Sequence, residues 1–311
     1  MKINVILAGF KAHARMVFNR LKSQDNINII GVFTGDDDNF CLLDGEPVGE
    51  TARKAGITVY NDSDLTLETL QTIYRKERID MLILVEWKKL ISEPVFSFPV
   101  YGSYCIHDSL LPRYRGSSPM NWAIINGETE TGATFFRIIN KADSGPIFYQ
   151  EKVFINSNDY ALDVLLKMIK AYENAAINGV NAVINKIEPV TQDETAATYG
   201  AARLPEDGLL SFDVDVGAVY NQIRALTYPF PGTYAYYGGI KVQIIRARIV
   251  KKRYNYVGFI PGYILNTKAI WVLCRNSFLH INEIKSFKNG ITFTDPQQFF
   301  TDKSLRLVST P

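Results

Sequence analysis

The chain has 311 residues, 47% hydrophobic and 21% charged, enough to bury one large core or to build two domains. Its 34 Lys and Arg against 32 Asp and Glu leave a net charge of +2, and no stretch concentrates basic residues as phosphate binding demands, so no nucleic-acid partner is expected. Three cysteines (Cys41, Cys105 and Cys274) are widely spaced and fit neither a disulfide framework nor a zinc pattern, which points to a reduced, cytoplasmic setting without a metal.

Residues 5–8 form a short apolar run ending at Gly9, and a helix follows over residues 12–21. This opening reads as a first strand and not as a signal peptide, because the run is short and Lys11, His13 and Arg15 come soon after. Residues 29–33 are a second apolar run, closed by Thr34-Gly-Asp-Asp-Asp38. A helix over 48–55 leads to a run at 57–60, and another over 65–75 leads to Met81–Val85. Unbroken apolar strands alternating with helices predict a parallel sheet covered on both faces, a Rossmann-like α/β domain. Gly9 lacks the second and third glycines of a dinucleotide fingerprint and reads as a simple tight turn.

Residues 102–106 make another buried run that ends in His107, with a loop carrying Pro112 and Gly116 directly after it. Two further apolar runs, 133–139 and Ile147–Phe154, flank a small-residue turn that holds Asp143. Ala161–Ile184 is a long helix, with Leu162, Leu165, Leu166, Ile169 and Tyr172 at helical spacing and read as core. The polar stretch from Pro189 to Pro205 is the best linker in the chain. After it, a strand over 208–212, a helix at Val216–Leu226 and short β runs at Thr233–Tyr237, 241–249, 269–274 and 278–281 predict a small β-rich domain. The expected division is residues 1–190, a linker over 191–205, and residues 206–311. No run approaches the length of a membrane span.

The chemistry-bearing stretch is Tyr104-Cys-Ile-His-Asp-Ser-Leu-Leu-Pro-Arg-Tyr-Arg-Gly116. A titratable imidazole at the carboxyl end of a strand, beside a loop, stands where open α/β sheets place their chemistry. Asp143, in Lys141-Ala-Asp-Ser-Gly-Pro146, would complete it, since histidine plus carboxylate is the minimum for an oriented general base. The other two histidines, His13 in the first helix and His280 in a late strand, read as structural.

His-x-Ser-Leu-Leu-Pro-x-Tyr-Arg-Gly, then Asn126-Gly-Glu-Thr-Glu-Thr-Gly132 and Ala142-Asp-Ser-Gly145, resembles the formyltransferases that use 10-formyltetrahydrofolate. The resemblance covers nearly the whole chain. It is closest to the formyltransferase domain acting on UDP-4-amino-4-deoxy-L-arabinose, through Asn121-Trp122, residues 126–132 and Ile223-Arg-Ala-Leu-Thr-Tyr-Pro-Phe-Pro-Gly232. It implies an α/β catalytic domain with a small OB-like module behind it. The implied reaction is transfer of a formyl group from 10-formyltetrahydrofolate to a primary amine on a nucleotide-linked aminosugar, a small-molecule partner. Methionyl-tRNA formyltransferases carry a basic early loop where this chain has Asp36 to Asp38, which counts against tRNA as acceptor.

Formyl transfer needs a base for the attacking amine, a group to orient that base, and donors for the formyl oxygen as it gains negative charge. The resemblance gives the first job to His107 and the second to Asp143. It aligns Lys89-Leu90-Ile91, Ser117 and the run Ile139, Asn140, Lys141 and Ala142, with Asp143 itself, to folate-contacting positions; Ser117 stands where the family has an arginine. Arg113 and Arg115 are either solvated loop cations or a grip on diphosphate. Cys105 departs from the family, which has Asn there as the oxyanion donor, and a thiol is a weaker donor than a carboxamide. Three readings of that change are open: a slower or differently supported transferase, a 10-formyltetrahydrofolate hydrolase, or a folate-binding homologue without activity. The late motif at 224–232 favours the first.

Overall fold

The computed structural model describes residues 2–35, 43, 45–250, 258–266, 269–302 and 304–310. The acidic loop at Asp36 to Asp38 and Cys41 lie outside the described residues. The chain divides into two compact units, one of Met1–Met120, Glu130–Phe154 and Leu165–Ala201, the other of Asn121–Thr129, Ile155–Val164 and Ala202–Pro311.

In chain order the elements begin β1 (Ile3–Gly9), α1 (Lys11–Lys22), β2 (Ile27–Thr34), α2 (Val48–Lys54), β3 (Val59–Asn61), α3 (Leu67–Tyr74), β4 (Met81–Val85), α4 (Glu93–Phe96) and β5 (Ser103–His107). They continue with β6 (Arg115–Gly116), α5 (Pro119–Ile125), β7 (Glu130–Arg137), β8 (Ile147–Phe154), α6 (Ala161–Ile184) and β9 (Tyr199–Gly200). One sheet runs β3-β2-β1-β4-β5-β7-β8. The first five strands pair in parallel, and β7 and β8 join antiparallel. β4 is buried at every position, which is what a strand covered on both faces requires and why its sequence does not alternate.

Local signals explain the element ends. α1 closes on Arg20 and Lys22, cations at the negative end of its dipole. α3 opens on Thr66, whose hydroxyl accepts the Thr69 N–H. Gly9 ends β1 because no side chain fits there: a Cβ would lie 2.5 Å from the Val85 carbonyl oxygen. What confines position 9 to glycine is close packing against β4.

The second unit holds α7 (Val216–Leu226) and the strands β10 (Thr233–Tyr237), β11 (Ile240–Ile249), β12 (Ile264–Asn266), β13 (Ile270–Leu273), β14 (Phe278–Ser286), β15 (Thr292–Phe293) and β16 (Leu307–Val308). The strands form an antiparallel sheet in the order β12-β13-β14-β11-β10-β16, with β15 on β14. Val219 and Ile223 of α7 share its core with Val242, Ile244, Val272 and Ile281.

Two stretches differ from expectation. Residues 208–212 form no strand and make a single bridge, Leu209 to Tyr234, where Gly208 packs tightly under the Gly232 carbonyl. Residues 191–201, expected as linker, belong to the first unit, and β9 within them pairs in parallel with β6. No helix among the described residues is long and apolar enough to cross a membrane.

Candidate active site

In the sheet order, β1 and β4 lie side by side although their connections run to opposite edges, the point where open α/β sheets leave a crevice beyond the strand carboxyl ends. Lys11 follows β1, Glu86 follows β4, and His107 ends β5, so three polar groups gather at one edge of the sheet. Lys11, Glu86, Tyr114, Ser118 and Asp143 all hold left-handed φ values between 51° and 63°. Such backbone is costly for residues other than glycine and concentrates where function over-determines geometry.

His107 is buried at the end of β5. Its Nε2 lies 2.8 Å from the Tyr114 carbonyl oxygen. A carbonyl only accepts, so Nε2 carries a proton, and in its neutral form such a ring has its lone pair on Nδ1. That Nδ1 faces Asp143, with 4.0 Å to Oδ1. Asp143 Oδ2 accepts the Gly116 N–H at 2.8 Å, which fixes the carboxylate between the two loops. The loop after His107 is itself pinned. Thr134 Oγ1 donates to the Ser109 carbonyl at 2.6 Å and accepts the Leu111 N–H, and Ser109 Oγ donates to the Arg113 carbonyl.

Cys105 sits two residues before His107 and so on the same face of β5, between Leu84 of β4 and Phe136 of β7. Burial, and then the carboxylates of Asp143, Glu86 and Asp108, push its thiol pKa well up. The sulfur therefore keeps its proton and is not an activated nucleophile. Its S–H reaches the Ile106 carbonyl only at 3.8 Å.

A second polar cluster, not anticipated from the sequence, lies beside it. Glu86 accepts from Lys11 Nζ at 2.5 Å and from the Tyr172 hydroxyl at 3.2 Å. His13 Nδ1 is 3.5 Å from the same carboxylate, its ring 4.5 Å from that of Tyr172. Burial would raise the Glu86 pKa, but the Lys11 charge and these hydrogen bonds overcome it and hold it at about 2. Burial lowers that of His13. Burial, then the Glu86 charge, lifts Asp108 to about 6. The one sequence signal for this cluster was a glutamate placed directly after the wholly apolar run of β4. Tyr172, at a core position of α6 by its helical spacing, has a buried ring.

The segments aligned with folate contacts are partly exposed. Leu90 is 92% exposed and Ile139 is also exposed. Lys89 pairs with Asp62, and Asn140 donates to Glu93 at 2.8 Å, tying the 138–143 loop to α4. Ser117 is exposed and donates its backbone N–H to the Gly200 carbonyl. Arg113 is exposed, its guanidinium 5.4 Å from the Tyr114 ring centroid.

Arg115 requires a correction. Its side chain is 1% exposed, and all five N–H donors are used within the protein. Nε and Nη2 both reach Gln192 Oε1, Nη2 and Nη1 reach Glu194, and Nη1 reaches the Tyr199 hydroxyl, at 2.8–3.1 Å. No donor remains to grip a diphosphate. Gln192 and Glu194 come from the stretch read as linker, where nothing in the sequence marked them.

A strand-end imidazole with one nitrogen held by a carbonyl and the other turned to a carboxylate is an arrangement chemically able to pass a proton. Compared with known families, residues 1–180 match Formyl transferase and residues 204–300 match Formyl transferase, C-terminal domain. The chain belongs to the formyl transferase family, enzymes that move formyl groups. Solved structures share the fold at low identity. An N-formyltransferase from Helicobacter canadensis, in complex with folinic acid and dTDP-3-aminofucose, is 20% identical, with a TM-score of 0.69 over 90% of this chain and 98% of its own. WlaRD, a sugar 3N-formyltransferase determined with dTDP and 5-N-formyl-THF, is 21% identical, with a TM-score of 0.68 over 92% and 98%. A methionyl-tRNA formyltransferase from Clostridium thermocellum is 21% identical, with a TM-score of 0.59 over 84% and 100%.

Proposed function

We propose that this chain transfers a formyl group from 10-formyltetrahydrofolate to a primary amine on a nucleotide-linked aminosugar. The observation that carries the reading is the His107 tautomer: with Nε2–H given to Tyr114, the Nδ1 lone pair is the base and Asp143 stands beside it. Two structural relatives bound to folates and thymidine nucleotides support the choice of donor and acceptor class. The residues present suit a folate. Exposed aliphatic side chains at Leu90 and Ile139 can cover a flat heterocycle, and the two segments that bear them are held to one another through Asn140 and Glu93.

In this reading residues 89–91 and 139–142 hold the folate, which supplies the formyl carbon as electrophile. His107 Nδ1 takes a proton from the amine as its nitrogen bonds to that carbon. The imidazolium so formed is stabilised by Asp143, whose carboxylate Gly116 keeps in place. When the tetrahedral intermediate collapses, the bond from the formyl carbon to the folate nitrogen breaks and the imidazolium gives its proton to that nitrogen, which leaves as tetrahydrofolate. Arg113 meets the anionic part of the acceptor. The Cys105 thiol, which keeps its proton, occupies the place of the oxyanion donor.

The test replaces each partner. His107→Ala and Asp143→Ala each reduce formyl transfer by ~10²-fold or more, the ordinary worth of a general base, while the circular dichroism spectrum and Tm stay close to those of the parent. Parent-like turnover in either variant refutes the assignment of roles. Unfolding of His107→Ala would mark the histidine as structural.

A further inference from the structure

We propose that Gln192 is a positioning residue for Asp143, the centre of a latch by which the 191–200 segment holds the catalytic loop. The proposal rests on the role given to Asp143 above. Gln192 is 6% exposed, and both ends of its carboxamide are engaged. Its Nε2 donates to the Asp143 carbonyl at 2.9 Å and to the Gly145 carbonyl at 2.7 Å. Its Oε1 accepts twice from Arg115.

Asp143 needs such a hold for two reasons. Its φ of 51° lies in the left-handed region, which aspartate tolerates but does not prefer. Two residues on, Gly145 passes so close to β7 that a Cβ would lie 1.7 Å from the Arg137 carbonyl oxygen. The turn is thus tightly bent, and two of its carbonyls point to one buried carboxamide. Arg115 fixes the orientation of that carboxamide, because an arginine can only donate and so must face Oε1, which turns Nε2 to the loop. Glu194 then anchors Arg115 through two N–H bonds and also takes Lys141 Nζ at 2.5 Å, two residues before Asp143. The pairing of β6 with β9 carries the same segment past Gly116, whose N–H meets the Asp143 carboxylate. Backbone and side chain of Asp143 are therefore both set by residues 192–200.

Gln192→Glu separates the two ends. It keeps an oxygen for Arg115 and loses the donor to the loop. We expect kcat to fall at least tenfold and KM for the formyl donor to stay within twofold. The Gly116 amide should exchange with solvent at least tenfold faster while the amides of β5 do not change, a readout that needs no turnover. In an Asp143→Ala background the same substitution should alter kcat less than twofold, since its effect passes through that side chain.

An equal kcat loss with and without Asp143, or unchanged exchange at Gly116, overturns the proposal. Gln192→Met, of similar size and without charge, checks for repulsion by Glu194 and should reproduce the kcat loss with Tm retained. If both variants unfold, Gln192 is a structural residue and the proposal fails. Absence of formyl transfer by the parent protein would instead refute the proposed function, leaving the exchange result to judge the latch.

Discussion

Cys105→Asn should make the enzyme faster. Cys105 and His107 lie on one face of β5, roughly 6–7 Å apart along the strand, so a carboxamide at 105 can aim an N–H at charge developing beside the imidazole. A well-placed donor of this kind contributes ~10²–10³-fold in kcat, about 2.7–4 kcal/mol. Here the lower end applies, because Glu86 and Asp108 lie close enough to influence residue 105 and compete for the new N–H groups. The expected gain is up to ~10²-fold in kcat with little change in KM, since the interaction is made only in the transition state. Asn adds volume and polar atoms between Leu84 and Phe136, a cost of about 1–2 kcal/mol. For a unit of this size that lowers Tm by roughly 2–8 °C. Turnover and Tm measured on one preparation decide the matter. A variant that is less stable and no faster refutes the idea that residue 105 faces the reacting oxygen. Lower activity at unchanged Tm would show that the site has been rebuilt around the thiol.

Arg115→Lys cannot satisfy Gln192, Glu194 and Tyr199 together, and leaving the buried Gln192 oxygen short of donors costs about 1–3 kcal/mol. Tm should fall by roughly 2–12 °C; an unchanged Tm with a raised KM for the acceptor would return Arg115 to phosphate binding. Arg113→Ala should raise KM for the nucleotide acceptor about tenfold with kcat nearly unchanged, and steady-state kinetics showing no change would remove Arg113 from the site. Glu86 has its pKa depressed in the fold, so its stabilisation is present above pH 4.5 and is lost as pH falls toward about 2. Glu86→Gln should flatten the acid limb of Tm against pH in that window, and an unaltered slope would contradict the pairing with Lys11. Asp108 has the opposite sign. Its raised pKa means that stability is lost as pH climbs from 3.8 through about 6, so Asp108→Asn should raise Tm at pH 7 more than at pH 4, and an equal change at both would refute it.

Much of this was legible in the sequence because burial on both faces writes itself as unbroken apolar runs. Residues 5–8, 29–33 and Met81–Val85 fall within β1, β2 and β4 for that reason. His107 and Asp143 were legible from motif order and strand-end position, and the chain brings them to 4.0 Å. What escaped was polar structure held by long-range partners. Gln192 and Glu194 lie 77 and 79 residues beyond Arg115, and a polar, irregular stretch looks the same whether it is solvated or clamped onto a buried guanidinium. The same blindness made Arg115 look like a loop cation. Glu86 and Lys11 meet only because β1 and β4 are neighbours in the sheet, which their 75-residue separation hides.

The central claim is the direction of the formyl group, and one experiment tests it most directly. The purified chain is incubated with 10-formyltetrahydrofolate and a panel of nucleotide-linked aminosugars, and each sugar nucleotide is followed by mass spectrometry while formate is assayed in parallel. The account predicts that one acceptor gains the mass of a formyl group on its amine, in step with tetrahydrofolate release. Formate release at the same rate without any amine would make the chain a hydrolase, and formylation of charged initiator tRNA at a comparable rate would contradict the choice of acceptor.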